Sequence, residues 1–197
     1  MTLEQCKTGA DKNNSYSGDY MNTGKLGEKV VIKFLQDNPQ ILEVNDWSEI
    51  KATQSADIDC EIITRSGQVV LAEIKSDKHL GKTGNVLFEI LRINHTCRPD
   101  FSANLGWSGK TPAKFIFYYA PSVRKIYKFE TRSLRKAMQA YTKETRKKMR
   151  LDIVETDDIK TTINILIPIS YFNGDYKVYE SLDFDREYYE EETDLPF

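Results

Sequence analysis

The segment DIDCEIITRSGQVVLAEIKSD, residues 57–77, decides the fold because it predicts a β-hairpin with an unusual set of charges. Two short apolar runs flank a Ser-Gly turn, and the second run ends in Glu-Ile-Lys. Acidic residues are depleted in strands. Acids on the first run, followed by a glutamate and a lysine on the second, therefore require an explanation.

The turn predicts which residues of the hairpin lie opposite one another. If Arg65-Ser66-Gly67 is a three-residue loop with a positive φ at its glycine, Asp59 lies directly opposite Glu73. A loop extended by two residues on its N-terminal side would instead put Asp57 opposite Glu73. Because side chains alternate along a strand, these acids share one face with Lys75. The residues predicted to point the other way, into the core, are Ile58, Cys60, Ile62 and Ile74.

Two carboxylates side by side on a hairpin repel each other unless a cation lies between them. Oxygen ligands at that separation suit a hard ion such as Mg²⁺, with waters and substrate phosphate completing the shell. Lys75 points at the same place, where a lysine can hold a metal-activated water and balance charge on a phosphate. The hairpin therefore predicts a Mg²⁺ site that acts on phosphates.

These residues resemble the core of the PD-(D/E)XK nuclease superfamily. In that family a helix carrying an acid precedes a strand that begins with Asp and a strand that ends in Glu-x-Lys. The matching segments, within residues 23–120, are GEKVVIKFL with Glu28, SADIDCEII with Asp57 or Asp59, and VVLAEIKSD with Glu73 and Lys75. The proline that usually precedes the aspartate is absent, so both aspartates remain candidates.

The resemblance implies an α/β fold with a restriction endonuclease-like αβββαβ core, that is, a mixed central sheet flanked by helices. It implies hydrolysis of DNA phosphodiester bonds with Mg²⁺ or Mn²⁺, by a phage or bacterial enzyme that is restriction-like or junction-resolving. The implied catalytic residues are Asp59, Asp57, Glu73, Lys75 and Glu28. The implied metal ligands are Asp59, Asp57, Glu73 and the carbonyl of Ile74. The alternative is a catalytically inactive module of this fold that binds DNA or a replication protein.

The length of 197 residues suits one domain with a substantial core. We expect a flexible N-terminal segment over residues 1–22, a single nuclease-like domain over 23–180 and an acidic tail over 181–197. Apolar periodicity predicts helices over 23–36 and 131–149. Predicted strands cover 41–44, 57–63, 69–76, 85–92, 114–120 and 162–170.

Several function classes are excluded by composition. No apolar run is long enough to span a bilayer, and no secretory signal is visible. Three scattered cysteines and two histidines argue against a disulfide framework or a zinc site, so we expect a reducing cytoplasm, the host's if the gene belongs to a phage. The segments HLGKTG (79–84) and GWSGKT (106–111) lack the earlier glycine of a phosphate-binding loop, which makes ATP binding improbable.

A basic segment, predicted to be helical, covers residues 123–150. Its eleven Lys or Arg residues against two Glu give a net charge of +9. Such a segment is an electrostatic footprint for phosphates, so we expect it to bind the DNA backbone. The candidate contacts are Arg132, Arg135, Lys136, Lys143, Arg146, Lys147 and Lys148. Because a small nuclease that cuts both strands commonly dimerises, we also expect a homodimer.

The acidic tail ends in a motif of its own. Residues 181–197 hold seven Asp or Glu against one Arg, a net charge of −6, and show no apolar periodicity. Their last residues, Asp194-Leu195-Pro196-Phe197, resemble the acidic tip of bacterial single-stranded DNA-binding proteins. The resemblance implies docking on proteins that recognise such tips. A tail that only shields the basic segment within the same chain is the alternative.

Overall fold

The computed structural model describes residues 14–94, 102–145, 150–156, 160–173 and 179–183. These residues form a mixed α/β structure that contains a mixed central sheet, a second sheet and flanking helices. The predicted α/β class is therefore confirmed at this level. No helix in the described part of the chain is both long enough and apolar enough to cross a membrane.

The strands are β1 (Ile41–Asp46), β2 (Cys60–Thr64), β3 (Val69–Ser76), β4 (Asn85–Asn94), β5 (Ser102–Leu105), β6 (Phe115–Ala120), β7 (Lys125–Glu130), β8 (Arg150–Thr156), β9 (Lys160–Pro168) and β10 (Tyr179–Asp183). The helices are α1 (Asn14–Gln36), α2 (Lys51–Ser55), α3 (Leu80–Thr83), α4 (Trp107–Lys110) and α5 (Thr131–Glu144). Two short 3₁₀ helices cover Pro121–Val123 and Ile169–Asn173.

Sheet A, the six-stranded central sheet, has the order β1-β2-β3-β6-β7-β10. Its neighbouring strands are antiparallel except β3 and β6, which are parallel. Sheet B is four-stranded and antiparallel, with the order β5-β4-β9-β8. Because β3 and β6 are parallel, the chain between them must cross over, and it builds β4, β5 and α4 on the way.

The element order α1-β1-β2-β3, followed by a strand parallel to β3, agrees with most of the predicted αβββαβ order. The predicted second helix of that core is not found among the described residues between β3 and β6. They contain only α3 and α4, of four residues each, together with two strands of sheet B.

The predicted starts of α1 and β2 are wrong. Helix α1 begins at Asn14, inside the segment predicted to be flexible, because the apolar stripe that indicated the helix begins only at Leu26. Strand β2 begins at Cys60 rather than at residue 57, because Asp57 has a φ of 54° that no strand accommodates.

The basic segment is not one helix. Residues 125–130 form β7 in the interior of sheet A, because Ile126 and Phe129 are both buried there. Helix α5 ends at Glu144, and Arg150 already begins β8. Residues 146–149 lie outside the described residues.

The core consists of two apolar clusters, one on each face of sheet A. Helix α1 covers one face, where Val30, Val31 and Leu35 pack with Ile74. The other face packs against α5 and sheet B around a group of aromatic rings, with Phe88 in contact with Trp107, Phe129 and Phe172. The hydroxyl of Tyr118 ties the two sheets together: it donates to Asp77 at 3.0 Å and accepts from the backbone N–H of Leu87 at 3.2 Å.

Candidate active site

The β2–β3 hairpin has the register predicted from its turn. Cys60 pairs with Ala72 and Glu61 with Leu71, and Gly67 has a φ of 80° in the connecting loop. The paired residues end at Cys60 and Ala72; Asp59 lies just beyond them, where its backbone N–H donates to the carbonyl of Ala72 at 3.0 Å. The predicted register is confirmed for the paired residues from Cys60 to Ile63, and the longer-loop alternative is wrong.

Asp59 is held in place by the backbone of the opposite strand. Its side chain is 9% exposed, and its Oδ2 atom accepts a 2.7 Å hydrogen bond from the backbone N–H of Ile74. A carboxylate oriented by a backbone donor has little rotational freedom. Asp59 is therefore fixed on the face of sheet A that carries Glu73.

Glu73 is only 1% exposed, at the centre of this face. Its Oε1 atom accepts a hydrogen bond from the ammonium group of Lys75, whereas Oε2 is buried without a hydrogen-bond partner. Because a buried oxygen that forms no hydrogen bond is costly, most such atoms in proteins have a partner. Glu73 Oε2 is therefore an unsatisfied buried oxygen at the site.

The two carboxylates have strongly perturbed pKa values. Burial raises the pKa of Glu73 to about 8, with the charge of Asp59 adding to the effect and Lys75 opposing it. Burial also raises the pKa of Asp59, against the lowering effects of Lys75 and the Ile74 N–H. The pKa of Lys75 is itself raised: burial lowers it, but the charges of Glu73 and Asp59 outweigh burial. Two buried acids thus share the charge of one lysine.

Glu28 approaches this pair from α1. Burial, followed by the charge of Asp59, raises the pKa of Glu28 to about 7, and the charge of Lys75 opposes the rise. A glycine brings the helix near: a Cβ atom at Gly27 would lie 2.6 Å from the Cβ of Ser76 on β3. The predicted helix acid is therefore beside the hairpin.

Asp57 lies next to the pair but has different partners. Its carboxylate is 3.1 Å from the ammonium group of Lys110, and its backbone carbonyl accepts a 2.6 Å hydrogen bond from the hydroxyl of Thr111. Asp57 still adds repulsion to both Asp59 and Glu73. The structure therefore brings together Asp59, Glu73, Lys75 and Glu28, with Asp57 at the margin.

Sequence reasoning missed helix α4, which forms one wall of the site. The ammonium group of Lys75 lies 5.5 Å from the centre of the Trp107 ring, and Lys110 of the same helix binds Asp57. A tight contact fixes α4, because Gly106 packs directly against the backbone carbonyl of Glu89 on β4. The segment GWSGKT lacks the pattern of a phosphate-binding loop, and no local signal indicates that it lies beside the hairpin.

The basic residues of α5 line a groove next to this wall. The groove, of about 390 Å³, is bordered by Lys114, Arg132, Arg135 and Lys136 and by one acid, Glu130. Arg135 is partly used within the fold, because its guanidinium donates to the carbonyls of Ser108 and Thr111 at 2.9 and 2.7 Å.

The remaining residues predicted to contact DNA or a partner protein divide into two groups. Lys143 is exposed near the end of α5, where it borders a second groove of about 500 Å³. Outside the described residues lie Arg146, Lys147, Lys148, Asp194, Leu195, Pro196 and Phe197.

The buried carboxylates of the site are possible ligands for a metal ion. Among the described residues there is no group of three or more His, Cys, Asp or Glu side chains that could hold one. Mg²⁺, however, is usually bound by one or two carboxylates together with waters and substrate phosphates. Asp59 and Glu73 supply two adjacent carboxylates, and Glu73 Oε2 has no hydrogen-bond partner. The residues present therefore fit a small oxygen-seeking dication, and the predicted role of the Ile74 carbonyl stays a prediction.

Comparison with known proteins gives no identification. No protein-family model, no curated protein and no solved structure matches this chain.

Proposed function

We propose that this chain is a Mg²⁺-dependent DNA nuclease with a restriction endonuclease-like core of the PD-(D/E)XK type. One observation carries the proposal: Asp59 and Glu73 are buried side by side, with the ammonium group of Lys75 on Glu73. The matching helix acid, Glu28, interacts with Asp59. These four residues supply the residue types of the family pattern, which supports the proposal.

A purely structural role for this arrangement is unfavourable. Burying a carboxylate costs free energy unless it is paired, and two buried carboxylates repel each other. If these positions served the fold alone, apolar residues would stabilise it better, as Ile116 and Phe129 do at neighbouring positions of sheet A. Buried acids with raised pKa values beside a lysine are typical of catalytic sites.

The proposed roles follow from the contacts of each side chain. Asp59 and Glu73 would hold Mg²⁺, or Mn²⁺ in its place. When bound, such an ion polarises a phosphate oxygen and lowers the pKa of water. Lys75, released from part of its pairing with Glu73, would orient the attacking water and contact the phosphate. Glu28, with a pKa of about 7, is able to take up or release a proton near neutral pH.

The DNA backbone is proposed to follow α4 and the start of α5. Lys110 lies beside Asp57, and Arg135 holds the carbonyl of Thr111, next to Lys110. Arg135 also borders the basic groove, together with Lys114, Arg132 and Lys136. A strand passing from the carboxylate pair to this groove would meet positive charge along its path.

The tail and the cellular setting belong to the same proposal. We propose that Asp194, Leu195, Pro196 and Phe197 recruit the nuclease to proteins that recognise the tips of single-stranded DNA-binding proteins. The buried thiol of Cys60 has its pKa raised to about 12 by burial and by nearby acids, so it stays protonated and unreactive. Such a thiol is compatible with the cytoplasmic setting that we expect.

The decisive experiment is cleavage of plasmid, linear and branched DNA with Mg²⁺ or Mn²⁺, read on a gel. We expect metal-dependent cleavage of at least one substrate shape and its loss in the Glu73→Gln variant. Absence of cleavage for every shape and both metals would overturn the proposal. DNA binding without cleavage would instead favour the inactive module.

A further inference from the structure

Strand β8 forms an open apolar edge of sheet B. Within the described part of the chain it pairs with β9 alone, over seven residues and without a register shift. Three of its side chains are apolar and exposed: Leu151 at 45%, Ile153 at 60% and Val154 at 42%. A long, regular and apolar edge strand is prone to pair with another strand.

Two other edges, β1 and β5, are better protected. Strand β1, at one edge of sheet A, has a register irregularity at Leu42 and carries Glu43 and Asp46. Strand β5, the opposite edge of sheet B, is only four residues long. Natural proteins protect edges by bulges, charges and shortness. At the centre of β8, Leu151 to Val154, the only such feature is Asp152.

The apolar character extends from this edge across the whole sheet. The register aligns four residues on one face, one from each strand: Leu105, Leu91, Ile163 and Ile153. This row adjoins the buried pair of Phe88 and Ile165, so it continues the core cluster outward. Its two outer members, Leu105 and Ile153, are exposed.

We infer that β8 pairs antiparallel with β8 of a second copy of this chain, so that the four-stranded sheet B of each copy becomes half of a continuous sheet. A two-fold axis through Ile153 is the only one that pairs all seven residues of β8. It sets Ile153 opposite its own copy, Leu151 opposite Glu155 and Asp152 opposite Val154. No two like charges then face each other, and Arg150 faces Thr156.

The neighbouring two-fold registers are less favourable. Centring the axis on Asp152 would put two aspartates directly opposite each other, which is destabilising. Centring it on Val154 would leave Arg150 and Leu151 without partners. The sequence of β8 is therefore complementary to itself in one register, which is why we choose a second copy as the occupant of this edge.

The first test is the mass of the pure protein by sedimentation velocity. We expect a dimer, about twice the chain mass of 22.8 kDa. Ile153→Lys should raise the dimer dissociation constant by at least about tenfold, because it places two like charges at the centre of the interface. Leu42→Lys is the control: Leu42 is as exposed as Ile153, at 61%, but lies on the edge of sheet A. Circular dichroism verifies that both variants are folded.

The second test fixes the register by cross-linking. In a background with Cys6→Ser and Cys97→Ser, Ile153→Cys should form an intermolecular disulfide, because the two Cβ atoms would lie about 5 Å apart. Leu151→Cys should not, since residue 151 and its copy would be separated by about four residues, or about 14 Å.

Two outcomes would overturn the inference. One is a monomeric wild-type protein, which would mean that another segment of this chain or a different partner covers β8. The other is cross-linking at residue 151 that equals cross-linking at residue 153. Neither depends on nuclease activity, so this inference and the proposed function succeed or fail separately.

Discussion

The backbone N–H of Ile74 donates a 2.7 Å hydrogen bond to the carboxylate of Asp59, across the two strands of the central hairpin. This contact orients Asp59 towards the strand that carries Glu73 and Lys75. Asp57 lacks such a contact with β3 and is bound to Lys110 instead. The two aspartates, equivalent in the sequence pattern, therefore have different environments, and their mutants should differ.

Substitutions in the carboxylate pair should abolish metal-dependent cleavage. We expect Asp59→Asn and Glu73→Gln to reduce cleavage below detection, because each removes a carboxylate from the adjacent pair of buried acids at the site. Lys75→Ala should lower the rate by about 10²–10⁴-fold, the range for loss of a group that handles protons. Single-turnover cleavage of end-labelled DNA measures both effects.

Two control substitutions separate this site from its surroundings. Glu61→Gln changes an acid of β2, two residues after Asp59. Glu61 accepts a hydrogen bond from Asn45 and should be dispensable for cleavage. Asp57→Asn should have a smaller effect than Asp59→Asn, because Asp57 is at the margin of the site. If Asp57→Asn abolished cleavage while Asp59→Asn did not, the assignment of the aspartates would be reversed.

The stability of the protein without metal should depend on pH through these acids. The pKa of Glu73 is raised from 4.5 to about 8, so the folded state holds a proton that the unfolded state releases. The resulting contribution is complete below pH 4.5 and is lost as the pH rises through about 8. Glu73→Gln should remove this loss, making the variant about 3 kcal/mol more stable relative to wild type at pH 8 than at pH 5. Urea unfolding at several pH values in chelator measures the difference.

Added Mg²⁺ should stabilise the folded protein most at high pH, where the acids alone destabilise it. Because the ion binds the deprotonated carboxylates, it should raise the melting temperature more at pH 8 than at pH 5. The effect should be absent in Glu73→Gln and retained in Glu61→Gln. Equal stabilisation of all three proteins would show that the ion binds elsewhere.

The hairpin could be predicted because residues close together in the sequence, those of the turn and of the two strands, determine its register. The Ser-Gly turn fixed the register, and alternation then placed Asp59 opposite Glu73. Helix α4 was not predictable, because Trp107 and Lys110 reach the site only through the crossover between two parallel strands. The interpretation of residues 123–150 as a helical segment is wrong for residues 125–130, because Ile126 and Phe129 are buried in sheet A, where these residues form a strand.

The position of α4 should depend on Gly106. Any side chain at this residue would collide with the backbone carbonyl of Glu89, so Gly106→Ala should destabilise the fold by about 1–3 kcal/mol and reduce cleavage by shifting Trp107 and Lys110. Gly109→Ala in the same helix is the control, because its nearest neighbour would lie 3.7 Å away. Thermal unfolding and cleavage should show a clear loss for the first variant and none for the second.

The basic groove should bind DNA without sequence preference. Arg132→Glu with Lys136→Glu should weaken binding to all sequences alike and reduce the slope of log affinity against log salt, because fewer counterions are released. Two changes of equal charge away from the groove and from β8, Lys51→Glu on α2 with Arg65→Glu in the β2–β3 turn, control for net charge. Fluorescence anisotropy across a salt series gives both quantities. Loss confined to one DNA sequence would contradict a role in tracking the backbone.

The acidic tail allows a last prediction that does not depend on cleavage. In the tips that it resembles, the terminal Phe ring enters an apolar pocket while a basic residue holds the carboxylate, a common mode of recognising chain ends. Deleting Phe197 should therefore abolish binding to a replication or repair protein that recognises such tips, and Thr193→Ala should leave it intact. Cleavage of naked DNA should be unchanged in both variants. If the tail instead shields the basic groove, removal of residues 184–197 would tighten DNA binding, whereas loss of Phe197 alone would change neither DNA binding nor partner binding. Partner binding that survives the loss of Phe197 would leave the tail without a recruiting role.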